Sequence, residues 1–382
     1  MIYLDSGATT LEKPPEVARA MVRAVGTMSS PGRGNYPASR RAEQTAFACR
    51  EAAAGLFQVP TPDQVVFTSN ATHGLNIAIR SLVRPGGRVA ISGYEHNAVT
   101  RVLHSIPGVE MIVADAPLFV PEKILEGFHR ALRRGVDAVV CNHVSNVFGC
   151  VQPVEAIAQL CRQYNTPLIV DASQSAGILP VTLSDWGAAF VAMPGHKGLY
   201  GPQGMGLLLC GGEASPLLFG GTGSASRMQT MPPDLPDRLE AGTHNMPGIA
   251  GLLEGLRFVT RMGTENIADH EIRLTRRAAR GLAALPGVEV FADRKGQSQT
   301  GVLSFRVRGM DSEQIGEELA RRQIAVRSGL HCAPLAHRTA GTLETGTVRL
   351  SPSVFNTPRH IDTFLRELTA ILRENESSGS RS

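Results

Sequence analysis

The chain has 382 residues, 42% of them hydrophobic and 19% charged, the balance of a protein that buries a large core. Its formal net charge of +4 comes without any basic run interleaved with aromatics, which argues against nucleic acid, and no apolar run approaches the roughly 20 residues that span a bilayer. The cysteines form no CxxC pair and MIYLDSGATT has neither a basic nor an apolar leader region, so reduced thiols, a cytoplasmic location and no metal site are expected.

From Val65 onward, short β-branched runs alternate with helical stretches. Strands are predicted at Val65–Ser69, Arg88–Ser92, Glu110–Ala114, Asp137–Asn142, Pro167–Asp171, Phe190–Met193 and Met205–Cys210. Helical patterns such as THGLNIAIRSLV and VEAIAQLCRQY lie between them. This alternation predicts an α/β fold around a mostly parallel sheet covered on both faces. After Gly248 the pattern changes. Helices are predicted at IAGLLEGLRFVTRMG and ENIADHEIRLTRRAARGLAAL, strands at VEVFA and TGVLSFRVR, then a helix at SEQIGEELARRQ, the run IAVRSG and a last helix near Arg359–Glu374. This reads as a smaller α+β C-terminal domain, followed by a polar flexible tail at 374–382.

Three strings carry chemistry. In FVAMPGHKGLYGPQG a strand runs into a turn that presents Lys197 among glycines, and a lysine becomes a nucleophile toward carbonyls when burial or neighbouring cations lower its pKa. In LIVDASQSAG an apolar strand ends at Asp171, with Gln174 three residues on; the carboxyl edge of a parallel sheet is where such folds bind ligands. Asp171 taken alone reads better as a helix cap. In VVFTSNATHGLNIAI a helix opens at Ser69-Asn70-Ala71-Thr72, a place where backbone N–H groups suit a phosphate.

With these three in order, the chain resembles the class V aminotransferase group of fold-type-I pyridoxal-phosphate enzymes, and within it the cysteine desulfurase and selenocysteine lyase family. The resemblance runs from YLDSGATT to GTVRLSPSVFNT through SNATHGLN, GYEHNA, HVSNVFG, VDASQSAG, GHKGLYGPQG, FGGTGS, EAGTHN and RSGLHCAP. It implies pyridoxal 5'-phosphate bound through a Schiff base at Lys197, a pyridine nitrogen kept protonated by Asp171, and a phenolic oxygen held by Gln174. His96 matches the imidazole that stacks on the ring and moves protons. Ala71, Thr72 and His196 match phosphate contacts, and Thr222 one drawn from the neighbouring subunit. Asn146 and Arg349 match groups that hold the substrate carboxylate. Arg33, in PGRGN, matches a segment that reaches the partner's site, so a homodimer is implied. Pro194 departs from the pattern, for a phosphate-binding hydroxyl usually stands there; Thr222, Thr68 and Ser69 are the candidates to compensate. The resemblance also implies a seven-stranded large domain at 14–246, a small domain at 247–373, and residues 1–13 packed with the small one.

Lys197, Asp171 and the phosphate turn serve every enzyme of the group. What separates a desulfurase is AVRSGLHCAP, the R-x-G-x-H-C-A form of the second desulfurase group. Cys332 matches the thiolate that accepts sulfur from L-cysteine, or selenium chemistry from L-selenocysteine, on a mobile segment. Arg327 and His331 are candidate cations beside it, and Arg327 is alternatively a substrate ligand. The product persulfide would pass to an acceptor protein. The other five cysteines, Cys49, Cys141, Cys150, Cys161 and Cys210, read as structural, with lining the site a lesser alternative for Cys150 because it stands close to Asn146. The alternatives are a selenocysteine lyase, an aminotransferase of the same fold, or a scaffold without activity.

Overall fold

A computed structural model describes residues 1–32, 34–296 and 298–379. Strand β1 (Ile2–Tyr3) precedes the strands of the main sheet: β2 (Val65–Thr68), β3 (Arg88–Ser92), β4 (Glu110–Ala114), β5 (Ala138–Asn142), β6 (Leu168–Asp171), β7 (Phe190–Pro194) and β8 (Gly206–Cys210). All seven predicted strands are present, in the order β2-β8-β7-β6-β5-β3-β4. Only β8 runs against its neighbours, because the glycine-rich turn after Pro194 returns the chain as a hairpin. Alternate residues feed two cores, one on each face of the sheet. Val139, Cys141, Val170 and Val191 go to one, while Val140, Ile169, Phe190 and Ala192 go to the other. Strands buried on both faces read as continuous apolar runs for this reason.

The smaller sheet joins β9 (Val288–Phe291), β10 (Leu303–Val307), β12 (Arg327–Gly329) and β13 (Thr347–Leu350), all antiparallel, in the order β12-β13-β10-β9. Strand β11 (Ile324–Ala325) pairs in parallel with β1, and Leu4 enters the core of Leu303, Phe305, Leu350 and Phe364. The run IAVRSG thus divides between two sheets. Residues 374–379, expected within a flexible tail, are helical. The last helix runs Pro358–Gly379, and Arg322 Nη2 holds Glu374 Oε2 at 2.6 Å.

A buried ion pair fixes the strand that leads to the phosphate turn. Arg50, on the helix Pro37–Leu56, meets both oxygens of Glu240 at 2.9 and 2.6 Å and donates to Val65 O. Glu240 also accepts from Phe67 N at 2.6 Å and lies 2.6 Å from His244 Nε2, and the Arg50 guanidinium covers the Phe67 ring at 4.1 Å.

Candidate active site

Register brings the key groups to one edge. Asn142, Asp171 and Ala192 are neighbours across β5, β6 and β7, and the turn carrying Lys197 leaves β7 two residues later. That turn packs on the one after Asp171: a Cβ at Gly198 would stand 2.4 Å from Ala176 O, so only glycine fits. The edge opens into a cleft of about 220 Å³ lined by Ala71, Thr72, His96, Asn146, Asp171, Gln174, His196, Lys197, Arg327 and Arg349. The cleft lies outside the carboxyl ends of the parallel strands, the place where open α/β sheets hold ligands.

Burial pushes the Lys197 amine from 10.5 down to about 8; Asp171 pulls the other way, and Arg349 and Arg327 add to the fall. The amine stays mostly protonated at neutral pH, but its neutral share far exceeds that of an ordinary lysine, which suits a nucleophile toward carbonyls. Asp171 is 3% exposed, and its Oδ1 accepts from Ser173 N at 2.9 Å. His96 precedes the helix Asn97–His104, and its Nδ1 accepts from Ala98 N at 3.0 Å. The ring is therefore the Nε2–H tautomer, and burial holds it neutral, at about 4, against the pull of Asp171. Gln174 donates from Nε2 to Gly7 O at 2.8 Å, which leaves the amide's second hydrogen for another acceptor.

At the far end, the helix Ala71–Leu82 presents its N-terminus, with Asn70 capping His73 N at 2.9 Å. The N–H groups of Ala71 and Thr72 belong to the first turn, where helices leave donors unpaired. His196 is held by Thr10, whose N and Oγ1 both donate to its carbonyl at 3.0 Å; burial pushes its ring down to about 4 and its Nδ1 has no partner among the described residues. Of the candidates to replace the hydroxyl missing at Pro194, Thr68 has its own committed to Asn70 O at 3.0 Å, and Ser69 Oγ lies 3.4 Å from His73 Nδ1. Thr222 lies outside this cleft, with its hydroxyl 3.1 Å from Ser224 Oγ. Arg33 lies outside the described residues.

The smaller sheet closes the cleft from above. Arg327 and Arg349 stand opposite each other on β12 and β13, so two guanidiniums share one wall. Arg349 is 1% exposed; its Nη2 meets Asp5 Oδ1 at 2.5 Å, its Nη1 donates to Asn146 O at 2.9 Å, and its Nε has no partner among the described residues. Asn146 spends its Nδ2 on His331 O at 2.8 Å and keeps Oδ1 free. An unpaired buried donor beside a second arginine fits a carboxylate ligand.

Cys332 is exposed, and Arg327 Nη2 lies 3.6 Å from its Sγ. His331 is not the second cation expected here. It is buried and stacks on His337 with ring centroids 5.6 Å apart, and burial first, then Arg349 and His337, drives it well below the ordinary imidazole range. The segment expected to be mobile forms a hydrogen-bonded turn here. His331 and Cys332 both have left-handed backbones, φ 53° and 55°, and Asn97 N holds Cys332 O at 2.8 Å. Cys150 is fully buried among Tyr94, Val147 and Phe148, with its thiol pushed up to about 11, and does not line the cleft.

Two groups at the site escape sequence reasoning. Asp5 completes Arg349; its only signal was an acid within the apolar start of the chain. Glu95, beside His96, is fully buried, accepts from Ser92 Oγ at 2.6 Å and Asn142 N at 2.8 Å, and is raised by burial to about 8. Among the described residues no cluster suits a metal ion, and no helix is long and apolar enough to cross a membrane.

The chain matches the class V aminotransferase family over residues 2–364. A probable cysteine desulfurase of Methanothermobacter thermautotrophicus is 33% identical over 375 residues, covering 94% of this chain and 92% of its own. The solved cysteine desulfurase of Thermococcus onnurineus is 29% identical with a TM-score of 0.87, covering 98% of this chain and 95% of its own. For the cysteine desulfurase CsdA of Escherichia coli the identity is 25% and the TM-score 0.82, over 97% and 94% of the two chains. With a carboxylate, a deprotonation-prone lysine and an arginine-paired thiol around one cleft, the chain belongs to the class V aminotransferase family and stands there among the cysteine desulfurases.

Proposed function

We propose that the protein is a cysteine desulfurase that binds pyridoxal phosphate through Lys197 and takes sulfur from L-cysteine onto Cys332. The observation that carries this reading is the exposed Cys332 thiol, 3.6 Å from Arg327, a residue that lines the same cleft as Lys197. The residues fit the cofactor: Asp171 lies at the sheet edge for a pyridinium, His96 offers a neutral ring for stacking, and the helix N-terminus at Ala71 and Thr72, with the unpartnered His196 Nδ1, suits the phosphate. When bound, pyridoxal phosphate supplies an electron sink for charge on the substrate α-carbon.

The protein's own groups do the rest. Arg349 Nε, with Arg327 alongside, takes the substrate carboxylate. Asn146 ties the Cys332 turn to that wall through His331 O and lends Oδ1 to the substrate amine. Lys197 Nζ removes the α-proton. The Cys332 thiolate attacks the substrate sulfur, the C–S bond breaks with its electron pair retained by carbon, and one proton completes L-alanine. Cys332 is left as a persulfide for an acceptor protein, or for the corresponding selenium transfer from L-selenocysteine. Thr222 and Arg33 would serve the cleft of a second copy, since Thr222 lies away from its own; this makes the active form a homodimer, and sedimentation of a fully active monomer would overturn it. Residues 1–13 and 247–373 act as the small domain closing on 14–246.

Mass spectrometry after one turnover with L-cysteine tests the assignment. One added sulfur is expected on the Cys332 peptide with one alanine released, and Cys332→Ala should release next to none. A label on Cys150, or full turnover by Cys332→Ala, would refute it.

A further inference from the structure

Behind Lys197 the cleft adjoins a second, smaller space, and the two share Gly7, Ser173, Gln174 and Lys197. This cavity has a volume of about 20 Å³ and is lined by Lys197, Gln174, Ser6, Thr10, Tyr200 and Glu271 among others. That is room for one water, and the site has the polar partners a buried water needs. Ser6 Oγ is buried there with no partner among the described residues.

Glu271 is the unexpected member. It sits on the helix Thr264–Ala283, 5% exposed, and among the described residues its hydrogen-bond partner is a hydroxyl at long range, Tyr200 OH at 3.5 Å. Tyr200 in turn donates its backbone N to Lys197 O at 2.9 Å, so acid and lysine share one turn as well as one cavity. The backbone has been cut away to admit the carboxyl, since a Cβ at Gly301 would stand 2.7 Å from Glu271 Cβ. A buried carboxyl with one weak partner costs stability, and packing alone would favour an apolar residue. Lys197, Tyr200 and Glu271 are the titratable groups that line the cavity.

We infer that Glu271 is the proton store of the active site, exchanging a proton with Lys197 Nζ through a water held in this cavity. The inference rests on the desulfurase reading, where such a store has a use. After the C–S bond breaks, alanine needs a proton at Cβ as well as the α-proton that Lys197 returns; where the transferred sulfur keeps its own proton as Cys332–S–SH, that second proton comes from the protein. Glu271–COOH gives its proton to the water, the water gives one to Lys197 Nζ, and the resulting carboxylate is reprotonated from solvent after release of alanine. Burial raises Glu271 to about 8 and lowers Lys197 to about 8, so transfer between them is close to level in either direction.

Glu271→Gln separates this role from a structural one, because glutamine keeps the size and neutrality of the protonated acid and loses only the ability to ionise. Turnover with L-cysteine should fall by at least about tenfold at unchanged KM, with the melting temperature preserved. In cofactor-free protein, the infrared band of a protonated carboxyl that Glu271→Gln removes should disappear as pH rises through about 8, and its midpoint should move in Lys197→Met. Turnover of Glu271→Gln within twofold of the wild type, or a band whose midpoint ignores Lys197→Met, would overturn the inference. A wild type that makes no alanine would sink the desulfurase reading instead, while the infrared arm still judges the Glu271–Lys197 exchange.

Discussion

Replacing Lys197 with methionine should stabilise the cofactor-free protein. The amine falls from 10.5 to about 8 mainly through burial, so at neutral pH the folded state carries a charge held in an unfavourable place. At about 1.4 kcal/mol per tenfold change, that is a penalty of roughly 3 kcal/mol, and about 2 once water in the open cleft screens it. The sign follows from which state holds the proton. Below about pH 8 both folded and unfolded chains are protonated at Lys197 and the penalty is complete. Between about 8 and 10.5 the unfolded chain keeps a proton that the folded one has released, so the wild type gains stability as pH rises. Above 10.5 the penalty is gone. Urea unfolding of the two proteins without cofactor, at about pH 7 and about pH 10, measures this directly. The Lys197→Met midpoint should be higher at the lower pH, at an unchanged slope, and the gap should shrink at the higher one. A gap that is absent, or the same at both values, would show that the lysine is not held against its charge.

Other expectations concern the thiol and the phosphate end. Arg327→Met withdraws the cation 3.6 Å from Cys332 Sγ, so alkylation of Cys332 by iodoacetamide at neutral pH should slow several-fold; an unchanged rate would remove Arg327 from that role. Glu240→Ala strands the Arg50 guanidinium and Phe67 N in the core and should cost about 3–5 kcal/mol in urea unfolding, with Arg50→Met/Glu240→Leu recovering most of it. A Glu240→Ala protein within about 1 kcal/mol of the wild type would show the pair to be dispensable.

Where the chain is buried on two faces, its sequence is legible. Runs such as AVVCN and LIVD have no polar residue until they reach the cleft, so strand and site edge coincide at Asn142 and Asp171. The helices Pro15–Thr27 and Pro37–Leu56 are harder to see. Val22 and Val25 of the first are 76% and 74% exposed and Phe47 of the second is 49% exposed, so apolar residues do not mark one buried face. The split of IAVRSG has a similar cause, since Ile324–Ala325 answers to β1 while Arg327–Gly329 answers to β13, and alternation records neither partner. In the site, residues inside strong local strings are readable: Lys197, Asp171, Gln174, His96 and Cys332. Asp5 and Glu271 matter through contacts that reach across the chain, Asp5 to Arg349 and Glu271 to the back of Lys197, and no local pattern carries such information. The protonation of His331 was unreadable too, because only its stacking on His337 beneath the turn shows that it is dry.

In the proposed reaction, the turn at His331 and Cys332 would limit how sulfur leaves. Its backbone is tied to Asn146 on one side and Asn97 on the other, and these ties offset the roughly 1–2 kcal/mol per residue that a left-handed pair costs. An outer sulfur on Cys332 would extend the side chain by a single bond, and a turn held by these ties would not carry it outward like an arm. Delivery would then fall to the recipient: a protein would have to bring its own thiol to Cys332, on a projection narrow enough to pass Arg327. A donor so rooted would serve recipients by shape, and a blunt protein thiol of equal reactivity would be left unserved.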